Sequence, residues 1–543
     1  MRNKDWVWYE DSFPPKKNID DFSSKCLVYL IHNSKEVYIG QTSNLSGRLD
    51  NTHHSVEYFT GKKPNKSLIL SSNFFNKSAV YDIETRMISY IDADTKMTVV
   101  NKNFHQKSHD YFDKNKTDII FDEVWKSLKK DKKIINESQL DILINSAMYK
   151  LSPFKSLGLQ QLEVLDKAIS HISDQSSKSI KISRQKSKTL IIEGAAGTGK
   201  TLVAIRMIFE LFKENALKDK KIAICCTQPP IRKVLKSRLK AIGIGSNLAE
   251  VINPKKLLNH QYDLVIIDEA HRLRQWNGGQ KRFLKDYLKE GETELMLARK
   301  KSKHLILFYD KEQNVLPVDI GKLEKSLGSE KPKFLRLEAQ YRVMGAGENS
   351  NYIRFIKSLL QISNTEPKRE DLGKYDIKIF NSLKELHKEI SEKEKVYKLC
   401  RLGAGYYVKW HKNSAEIFDF KEAEGCDFNW NEPGEGWAEK SHVLKNQIGS
   451  IHTLQGVDLN YAGIILGDEI YLDPNDKRIK VRKENYYDQM GKAFKGVDKS
   501  PDELSDLIKN IYYVLLTRGI RGTYLYIKDE NLRNYIAKCC GLS

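Results

Sequence analysis

The segment Thr189-Leu-Ile-Ile-Glu-Gly-Ala-Ala-Gly-Thr-Gly-Lys-Thr201 decides how the rest of this sequence is interpreted. From Gly194 onward it matches the pattern G-x-x-x-x-G-K-[ST], in which backbone N–H groups surround a phosphate. Leu190 to Ile192 predict a buried parallel strand before the loop, and Leu202 to Phe212 predict a helix after it. Because the free N–H groups of a helix start attract anions, this context favours a nucleotide phosphate site over a chance glycine-rich turn.

Each position of this loop has a chemical role in that interpretation. Lys200 is expected to reach the β- and γ-phosphates, and the Thr201 hydroxyl is expected to hold Mg²⁺. The predicted nucleotide-binding residues are Gly194, Ala195, Ala196, Gly197, Thr198, Gly199, Lys200 and Thr201. The sequence therefore predicts ATP and Mg²⁺ as cofactors.

Length and composition limit the classes of protein to consider. A chain of 543 residues is too long for a single core, so about two to four domains are expected. The formal net charge of +20 favours a polyanionic partner such as nucleic acid, although lysines on a solvated surface would give the same charge. No apolar run approaches the roughly 20 residues of a membrane span, and the N-terminus lacks the pattern of a signal peptide. Seven cysteines without metal-ligand spacing fit a reduced, cytoplasmic protein.

A different set of signals lies near the N-terminus, where the sequence from Cys26 reads CLVYLIHNSKEVYIGQTSNLSGRL. Two apolar stretches, Leu27–Ile31 and Val37–Ile39, flank a polar turn, which is the pattern of a β-hairpin. Further along the chain, Ala79 to Ile91 predict a helix and Met97 to Val100 predict a strand.

This series resembles the GIY-YIG endonuclease family over residues 22–105. Tyr38-Ile39-Gly40 matches the second tripeptide of the family, whereas Val28-Tyr29-Leu30 departs from the first. The resemblance implies a small α+β nuclease domain. The departure leaves a catalytically dead nuclease fold as the alternative.

Three further residues carry the same resemblance. Arg48, Glu84 and Asn101 fall where the family has its arginine, its metal-binding glutamate and its closing asparagine. The resemblance implies that Glu84 holds Mg²⁺ and that Arg48 stabilises the phosphate. Either Tyr29 or Tyr38 would then help to deprotonate the attacking water.

The phosphate loop is followed by further motifs in a fixed order. Asp263 to His271 predict a buried strand tipped by Asp268, which is expected to hold Mg²⁺ through water, and by Glu269, which is expected to polarise the attacking water. The next strand leads to Gln313, at the position of a γ-phosphate sensor. The arginines assigned to phosphate contacts are Arg342 and Arg518, with Arg521 as the less favoured alternative to Arg518.

In this order the motifs resemble those of superfamily-one helicases. More narrowly, they are similar to bacterial P-loop domains related to the helicase part of Schlafen-type proteins, over roughly residues 150–540. The segments that fit this subgroup are Arg401–Tyr406, Asn429–Asn431 and Ile448–Gly456. The resemblance implies two RecA-like parallel-sheet lobes that clamp ATP between them.

The same resemblance assigns two more residues to the nucleotide site. Gly456 is one, and Gln161, with Gln160 as the alternative, is expected to hydrogen-bond the adenine. Tyr406, Tyr407 and Trp410 are interpreted as core residues in preference to base-stacking ones. The tract from Glu422 to Trp437, rich in Gly, Glu, Asn and Trp, is interpreted as a surface loop.

The sequence therefore predicts an α/β protein with a small α+β GIY-YIG nuclease domain followed by two RecA-like parallel-sheet lobes. The predicted boundaries are 22–105 for the nuclease domain, 106–150 for a helical basic linker, 151–345 for the first lobe and 346–543 for the second. The expected function is an ATP-dependent nuclease–helicase that acts on DNA in defence against foreign DNA. The alternatives are an ATP-gated nucleic-acid-binding switch with an inactive nuclease fold, a DNA-repair enzyme and an RNA-directed enzyme. Expected partners are single- or double-stranded DNA or RNA, and a further protein or a second copy of the chain, but no membrane.

Overall fold

The computed structural model describes only part of the chain. The described residues are 5–13, 25–45, 58–59, 66–94, 96–101, 111, 113–136, 157–176, 188–213, 220–227, 232, 235–236, 239, 244, 248–276, 284–315, 319–320, 323–328, 331–339, 351–411, 418–422, 426–431, 437–488, 493–494, 497–498 and 500–542. The chain forms two compact units, one of residues 1–162 with 234–245 and one of residues 163–233 with 246–543. Within the described ranges, no helix combines the length and the apolar character that crossing a bilayer requires.

The N-terminal unit contains a five-stranded sheet. Its strands are β1 Trp6–Ser12, β2 Leu27–His32, β3 Glu36–Thr42, β4 Lys66–Ser72 and β5 Thr98–Val99, and their order is β1-β4-β2-β3-β5. All neighbours are antiparallel except β3 and β5, which are parallel. The hairpin predicted from the sequence is confirmed as β2 and β3, whereas β1 and β4 were not recognised in the sequence.

Two helices, α1 Lys77–Asp94 and α2 Lys114–Lys130, belong to this unit. α1 is the helix predicted from Ala79 to Ile91, and it packs against β2 and β3. Because successive strand residues point to opposite faces, Val28 and Leu30 share a core with the two helices, while Tyr29 lies in a second apolar cluster.

The helix α2 places part of the predicted linker in this core. Its buried residues include Phe121, Val124, Trp125 and Leu128, and Lys126, Lys129 and Lys130 are exposed. This is the pattern of an amphipathic helix that covers a sheet. Residues 114–130 of the predicted linker therefore belong to the core of the N-terminal unit, because an apolar helix face of this kind is stable only when it is buried.

The first lobe is built on a six-stranded sheet in which every neighbouring pair is parallel. Its strands are β6 Lys188–Gly194, β7 Ile222–Cys226, β8 Ala249–Ile252, β9 Tyr262–Asp268, β10 Ser302–Tyr309 and β11 Lys333–Leu337, in the order β11-β6-β10-β9-β7-β8. The helices of this region are α3 Leu159–Ser176, α4 Lys200–Lys213, α5 Glu294–Lys301 and α6 Leu323–Leu327. Because β6, β10 and β9 are neighbours and parallel, their carboxyl ends meet at one edge, which is where open α/β sheets bind ligands.

The second lobe is built on a four-stranded parallel sheet with the order β12-β22-β17-β13. These strands are β12 Asp376–Phe380, β13 Arg401–Ala404, β17 Leu459–Leu466 and β22 Gly519–Ile527. Its helices are α7 Tyr352–Leu359, α8 Arg369–Leu372, α9 Leu383–Tyr397, α10 Ile451–Leu454, α11 Pro501–Leu516 and α12 Glu530–Cys540. The shorter strands are β14 Phe420–Glu422, β15 Cys426–Trp430, β16 Gln447–Ile448, β18 Ile470–Leu472, β19 Ile479–Val481, β20 Ala493–Phe494 and β21 Val497–Asp498.

Two parallel-sheet lobes are thus present, as the sequence predicts. The predicted boundary between them near residue 345 stays a prediction, because residues 340–350 lie outside the described part of the chain.

The tract Glu422 to Trp437 does not have the structure that the sequence analysis assigned to it. Trp430 is fully buried in β15, with its ring centroid 4.7 Å from that of Tyr406. Trp437 is also buried, and its Nε1 donates to Gln447 Oε1 at 2.7 Å. The surface-loop interpretation is therefore wrong for these two tryptophans, because large aromatic side chains are stabilised by burial in a core.

One buried carboxyl of the second lobe has a consequence for stability. Glu469 follows β17, is fully buried and accepts a hydrogen bond from the Tyr512 hydroxyl. A Cβ on Gly405 would lie 2.5 Å from its Oε1, so the glycine makes room for the carboxyl. Burial raises the pKa of Glu469 from 4.5 to about 7.

We expect Glu469→Gln to stabilise the protein at pH 8 much more than at pH 5. Since the folded state binds the proton more tightly, the stabilising contribution of Glu469 is complete below pH 4.5 and is lost as the pH rises through about 7. A tenfold change in an acid dissociation constant corresponds to about 1.4 kcal/mol, so the gain at pH 8 should approach about 3 kcal/mol. Urea unfolding at both pH values measures it, with the exposed Glu484→Gln as the control. Equal gains at the two pH values would contradict the expectation.

Candidate functional site

The phosphate loop joins the carboxyl end of β6 to the start of α4, as the sequence predicts. Gly197 and Gly199 have φ angles of 86° and 84°, in the left-handed region that residues with a side chain rarely adopt. A Cβ on Gly194 would lie 2.6 Å from Thr198 Oγ1 and 3.0 Å from Leu337 Cβ. These glycines let the backbone curl tightly at the N-terminus of α4, where its N–H groups can face an anion.

Lys200 is buried, and the loop itself holds its ammonium group. Nζ donates to the carbonyl oxygens of Gly194 at 2.6 Å and Ala195 at 3.1 Å. It also lies 3.6 Å from Asp310 Oδ2. A phosphate oxygen is a stronger acceptor than these neutral carbonyls and can replace them.

Thr201 and Asp268 form the part of the site that suits a divalent cation. Thr201 Oγ1 donates to Asp268 Oδ2 at 2.7 Å. Asp268 is 1% exposed, and its Oδ1 has no hydrogen-bond donor among the described residues. Burial, and then the charge of Glu269, raise the pKa of Asp268 to about 6. A buried carboxylate oxygen beside a threonine hydroxyl provides the hard oxygen ligands that Mg²⁺ prefers, so these residues fit the predicted cation.

Glu269 has the opposite electrostatic environment. Its Oε2 lies 2.9 Å from His271 Nε2 and 3.9 Å from Arg272 Nε. Burial alone would raise the pKa of Glu269, but the charges of His271, Lys200 and Arg272 outweigh it and hold that pKa well below its usual range. A carboxylate of such low basicity stays ionised and suits the orientation of a water molecule better than the removal of its proton.

The turn after β10 brings Asp310 and Gln313 to the phosphate loop. Gln313 Nε2 donates to Asp310 Oδ2 at 2.7 Å, and both side chains are buried. Burial alone would raise the pKa of Asp310, but the Lys200 ammonium outweighs it and lowers that pKa. The sequence predicts a role for Gln313 but none for Asp310. The signal that could have found it is a carboxylate directly after the strand next to the one that carries the loop.

The two candidate arginines at the end of α11 have different surroundings. Arg518 is 1% exposed, and its Nε donates to the carbonyl of Val514 at 2.9 Å. Arg521 lies against α9, where its guanidinium is 5.0 Å from the ring centroid of Tyr397 and its Nε donates to Asn460 Oδ1 at 3.3 Å.

Tyr513 locates the end of α11 relative to the phosphate loop. Burial raises its pKa well above the usual value, and the negative charges of Asp310 and Glu312 raise it further. The backbone amide of Ala196 and the charge of Arg518 act in the opposite direction. The contact with the Ala196 amide places Tyr513 beside the phosphate loop, and α11 packs against residues 311–313 of the turn after β10. The nucleotide role of Arg518, like that of its alternative Arg521, stays a prediction.

Gln161, Gly456 and Arg342 are the other residues that the sequence predicts to bind the nucleotide. Gln161 is buried near the start of α3, and its Oε1 accepts from the backbone N–H of Gly158 at 3.0 Å. Gly456 follows α10 in the second lobe and has a φ angle of 86°. Arg342 lies outside the described residues. The nucleotide roles of these three residues stay predictions.

In the N-terminal unit, the structure brings together two of the candidate nuclease residues. Tyr29 on β2 and Tyr38 on β3 have ring centroids 6.1 Å apart and an interplanar angle of 29°. A Cβ on Gly40 would lie 2.5 Å from the hydroxyl oxygen of Tyr29. The glycine of Tyr38-Ile39-Gly40 is therefore the residue that lets the Tyr29 side chain cross the neighbouring strand.

The remaining candidates of that unit lie on other elements. Glu84 is 5% exposed and lies in α1. Asn101 extends the pairing of β3, since its Nδ2 donates to the Ile39 carbonyl at 2.6 Å and its Oδ1 accepts from the Ile39 N–H at 3.0 Å. Arg48 lies outside the described residues. The catalytic roles of Tyr29, Tyr38, Arg48 and Glu84 stay predictions.

A phosphate loop at the carboxyl edge of one parallel sheet, beside Asp268 and Glu269 and together with a second parallel-sheet lobe, defines a two-lobed P-loop protein. The family model of the Schlafen group 3 DNA/RNA helicase domain matches residues 187–529. Because this match covers more than half of the chain, the chain belongs to that family. A helicase domain implies the use of ATP and usually of Mg²⁺, and nucleic acid as a partner.

Two further similarities are less specific. The uncharacterized protein YPL245W of Saccharomyces cerevisiae is 27% identical over 439 residues, which are 73% of this chain and 94% of that protein. The crystal structure of the DUF1998 helicase MrfA bound to DNA is similar with a TM-score of 0.31 and 9% identity, over 70% of this chain. The chain spans about half of the MrfA chain, 50% by length.

Proposed function

We propose that the chain is an ATP-dependent motor that moves along DNA in the cytoplasm, and that its N-terminal domain cleaves the DNA as defence against foreign molecules. The observation that carries the motor part is the buried Thr201–Asp268 contact of 2.7 Å beside Lys200. The Lys200 ammonium, the Thr201 hydroxyl and an Asp268 carboxylate oxygen meet near the start of α4. These are the groups that binding the phosphates of ATP with Mg²⁺ requires.

In this proposal, the side chains around the loop have separate roles in ATP hydrolysis. Lys200 exchanges its two carbonyl acceptors for phosphate oxygens, and Glu269 orients the attacking water. Gln313 and Arg518, together with Arg342, contact the γ-phosphate. Thr201 and Asp268 would hold Mg²⁺, which neutralises charge on the phosphates when it is bound. Repeated closing and opening of the two lobes around the nucleotide would move a strand across them.

The cleavage part of the proposal depends on the N-terminal unit. Support comes from the adjacent Tyr29 and Tyr38 hydroxyl-bearing rings and from the carboxylate of Glu84 in the same unit. Water attacks the phosphorus and forms a new P–O bond while the P–O bond to the leaving sugar oxygen breaks. A deprotonated tyrosine would accept the proton of that water, and the leaving oxygen would take a proton from solvent. Glu84 would hold the Mg²⁺ of this site and Arg48 would stabilise the charge on the phosphate.

A second function has support from one observation. Tyr29 and Tyr38 are only 2% and 8% exposed, as expected for tyrosines that pack in a core. This favours the alternative in which the nuclease fold is inactive and the nucleotide controls the grip on nucleic acid.

Cleavage of a supercoiled plasmid distinguishes these functions. We expect the unaltered protein to cut DNA with Mg²⁺ and ATP, and Glu84→Ala to cut at least about 100-fold more slowly. We expect ATP to give no stimulation of cutting by Lys200→Ala. The rate is measured by gel electrophoresis of plasmid with and without ATP. Glu10→Ala, which removes an exposed carboxylate of the same unit that pairs with Lys66 and Lys132, is the control and should cut normally.

The other outcomes have definite meanings. Normal cutting by Lys200→Ala would show that the two activities are independent. No cutting by the unaltered protein, with ATP hydrolysis still stimulated by DNA, would contradict the nuclease and support the switch. Stronger stimulation by single-stranded RNA than by DNA of the same length would instead assign the motor to RNA.

A further inference from the structure

An ion pair connects the two lobes next to the γ-phosphate sensor. Glu312 lies in the sensor turn (residues 310–314), directly before Gln313, and its Oε1 is 2.9 Å from Lys357 Nζ in α7. The side chains are 12% and 24% exposed. An ion pair shielded to this degree contributes more than an exposed one, because water screens it less.

Lys357 is suited to hold Glu312 in place. Its ammonium also lies 5.7 Å from the ring centroid of Tyr513, the residue beside the phosphate loop. Burial and the neighbouring Asp310 raise the pKa of Glu312, and Lys357 opposes this effect. Lys357 therefore supplies a positive charge that partly balances the Glu312 carboxylate beside Asp310.

The opposite end of α7 is attached to the arginine turn (residues 516–518). The Tyr352 hydroxyl donates to the carbonyl of Leu516 at 2.8 Å, and the side chain of Tyr352 is buried. Leu516 ends α11, and Arg518 follows two residues later. The short helix α7 thus contacts the sensor turn through Lys357 and the arginine turn through Tyr352.

We propose that the Glu312–Lys357 ion pair couples the sensor turn of the first lobe to the arginine turn of the second, so that Glu312 and Lys357 are positioning residues for ATP hydrolysis. This inference rests on the proposed ATPase. When Gln313 meets the γ-phosphate, the adjacent Glu312 draws Lys357 and α7 with it. The contact of Tyr352 with Leu516 then transmits the displacement to Arg518, as a rigid helix can.

If the coupling is correct, loss of the ion pair should slow ATP hydrolysis without weakening nucleotide binding. We expect Glu312→Gln and Lys357→Gln each to lower kcat for DNA-stimulated ATP hydrolysis by about 10- to 100-fold, since small misplacements of catalytic groups have effects of that size. The affinity for a fluorescent ATP analogue should change by less than about threefold, because neither side chain belongs to the phosphate loop. Lys357→Arg keeps the charge and should retain most of the activity.

Because the two residues act as one contact, the double variant Glu312→Gln with Lys357→Gln should be no slower than either single variant. The control is Arg354→Gln, which breaks the ion pair of the same helix with Asp371 inside the second lobe and should leave kcat unchanged. Thermal unfolding of every variant checks the fold.

The coupling is overturned if the single variants turn over normally, if their defects multiply in the double variant, or if Arg354→Gln is equally slow. Absence of ATP hydrolysis in the unaltered protein would instead refute the proposed function, and the coupling with it.

Discussion

Lys200→Ala is expected to lower the rate of DNA-stimulated ATP hydrolysis by a factor of about 10³ and to weaken nucleotide binding. The substitution removes the ammonium that lies 2.6 Å from the Gly194 carbonyl, inside the curl of the loop. The loop itself should persist, because Gly197 and Gly199 supply its left-handed backbone without strain. Steady-state ATP hydrolysis and titration with a fluorescent ATP analogue measure the two effects.

This substitution also leaves the buried Asp310 carboxylate without the lysine that lies 3.6 Å away. Thermal unfolding must therefore accompany the kinetics, because an unpaired buried charge destabilises a fold by roughly 3–5 kcal/mol. Lys200→Arg keeps the charge beside Asp310 and separates stability from catalysis. Lys303→Ala, at the other edge of the sheet and 76% exposed, is the matched control and should hydrolyse ATP normally. Normal ATP hydrolysis by a folded Lys200→Ala variant would rule out the assignment of the loop.

Glu269→Gln is expected to reduce kcat by a similar factor, about 10³, while nucleotide binding is retained. The amide has nearly the shape of the carboxylate but lacks the charge that orients and polarises the attacking water. Phosphate contacts are unaffected, because Lys200 and the loop amides remain. A single-turnover measurement with prebound ATP isolates the chemical step from binding.

Comparison of the two variants separates the two roles, because Lys200→Ala should lose both nucleotide binding and turnover, whereas Glu269→Gln should lose only turnover. Glu292→Gln removes a surface carboxylate that pairs with Lys300 at 2.6 Å, and it should behave like the unaltered protein. If Glu269→Gln weakens nucleotide binding as strongly as Lys200→Ala does, Glu269 holds the nucleotide or its cation and is not the residue that orients water.

The parts of the fold that could be predicted are those specified by neighbouring residues. Gly197 and Gly199 supply the left-handed backbone of the loop, and the apolar run before Gly194 specifies a buried strand. Both depend on the local chain alone. The hairpin of β2 and β3 was predictable for the same reason, because a short polar turn leaves two adjacent strands with few alternatives to pairing.

Some contacts between distant residues were also accessible from the sequence, because the topology brings them together. Asp268 meets Thr201 across 67 positions of sequence. Asp268 ends β9 and Thr201 follows the loop after β6, and those strand ends lie at one edge of the sheet, so the Mg²⁺ role predicted for both residues implied that they lie close together.

Other features of the fold depend on packing against a segment that is distant in the sequence, which no local sequence pattern indicates. The helix α2 resembles a charged linker until its face with Trp125 is placed on the N-terminal sheet. Trp430 and Trp437 lie in a polar tract whose composition is typical of a loop, yet the core of the second lobe buries both. In each case the burial of apolar surface against a remote element outweighs the local composition.

The sequence alone was sufficient to identify the phosphate loop, the Asp268–Glu269 pair and the helicase character of the chain, because each rests on short motifs with strict backbone or chemical requirements. Only the tertiary structure showed that Asp310 lies beside Lys200 and that Glu312 is paired with Lys357. Charged residues of these types are common on any surface, and their sequence neighbours do not distinguish them. They acquire their electrostatic roles because the fold of the first lobe, for Asp310 and Lys200, and the packing of the two lobes, for Glu312 and Lys357, place them close to each other and away from water.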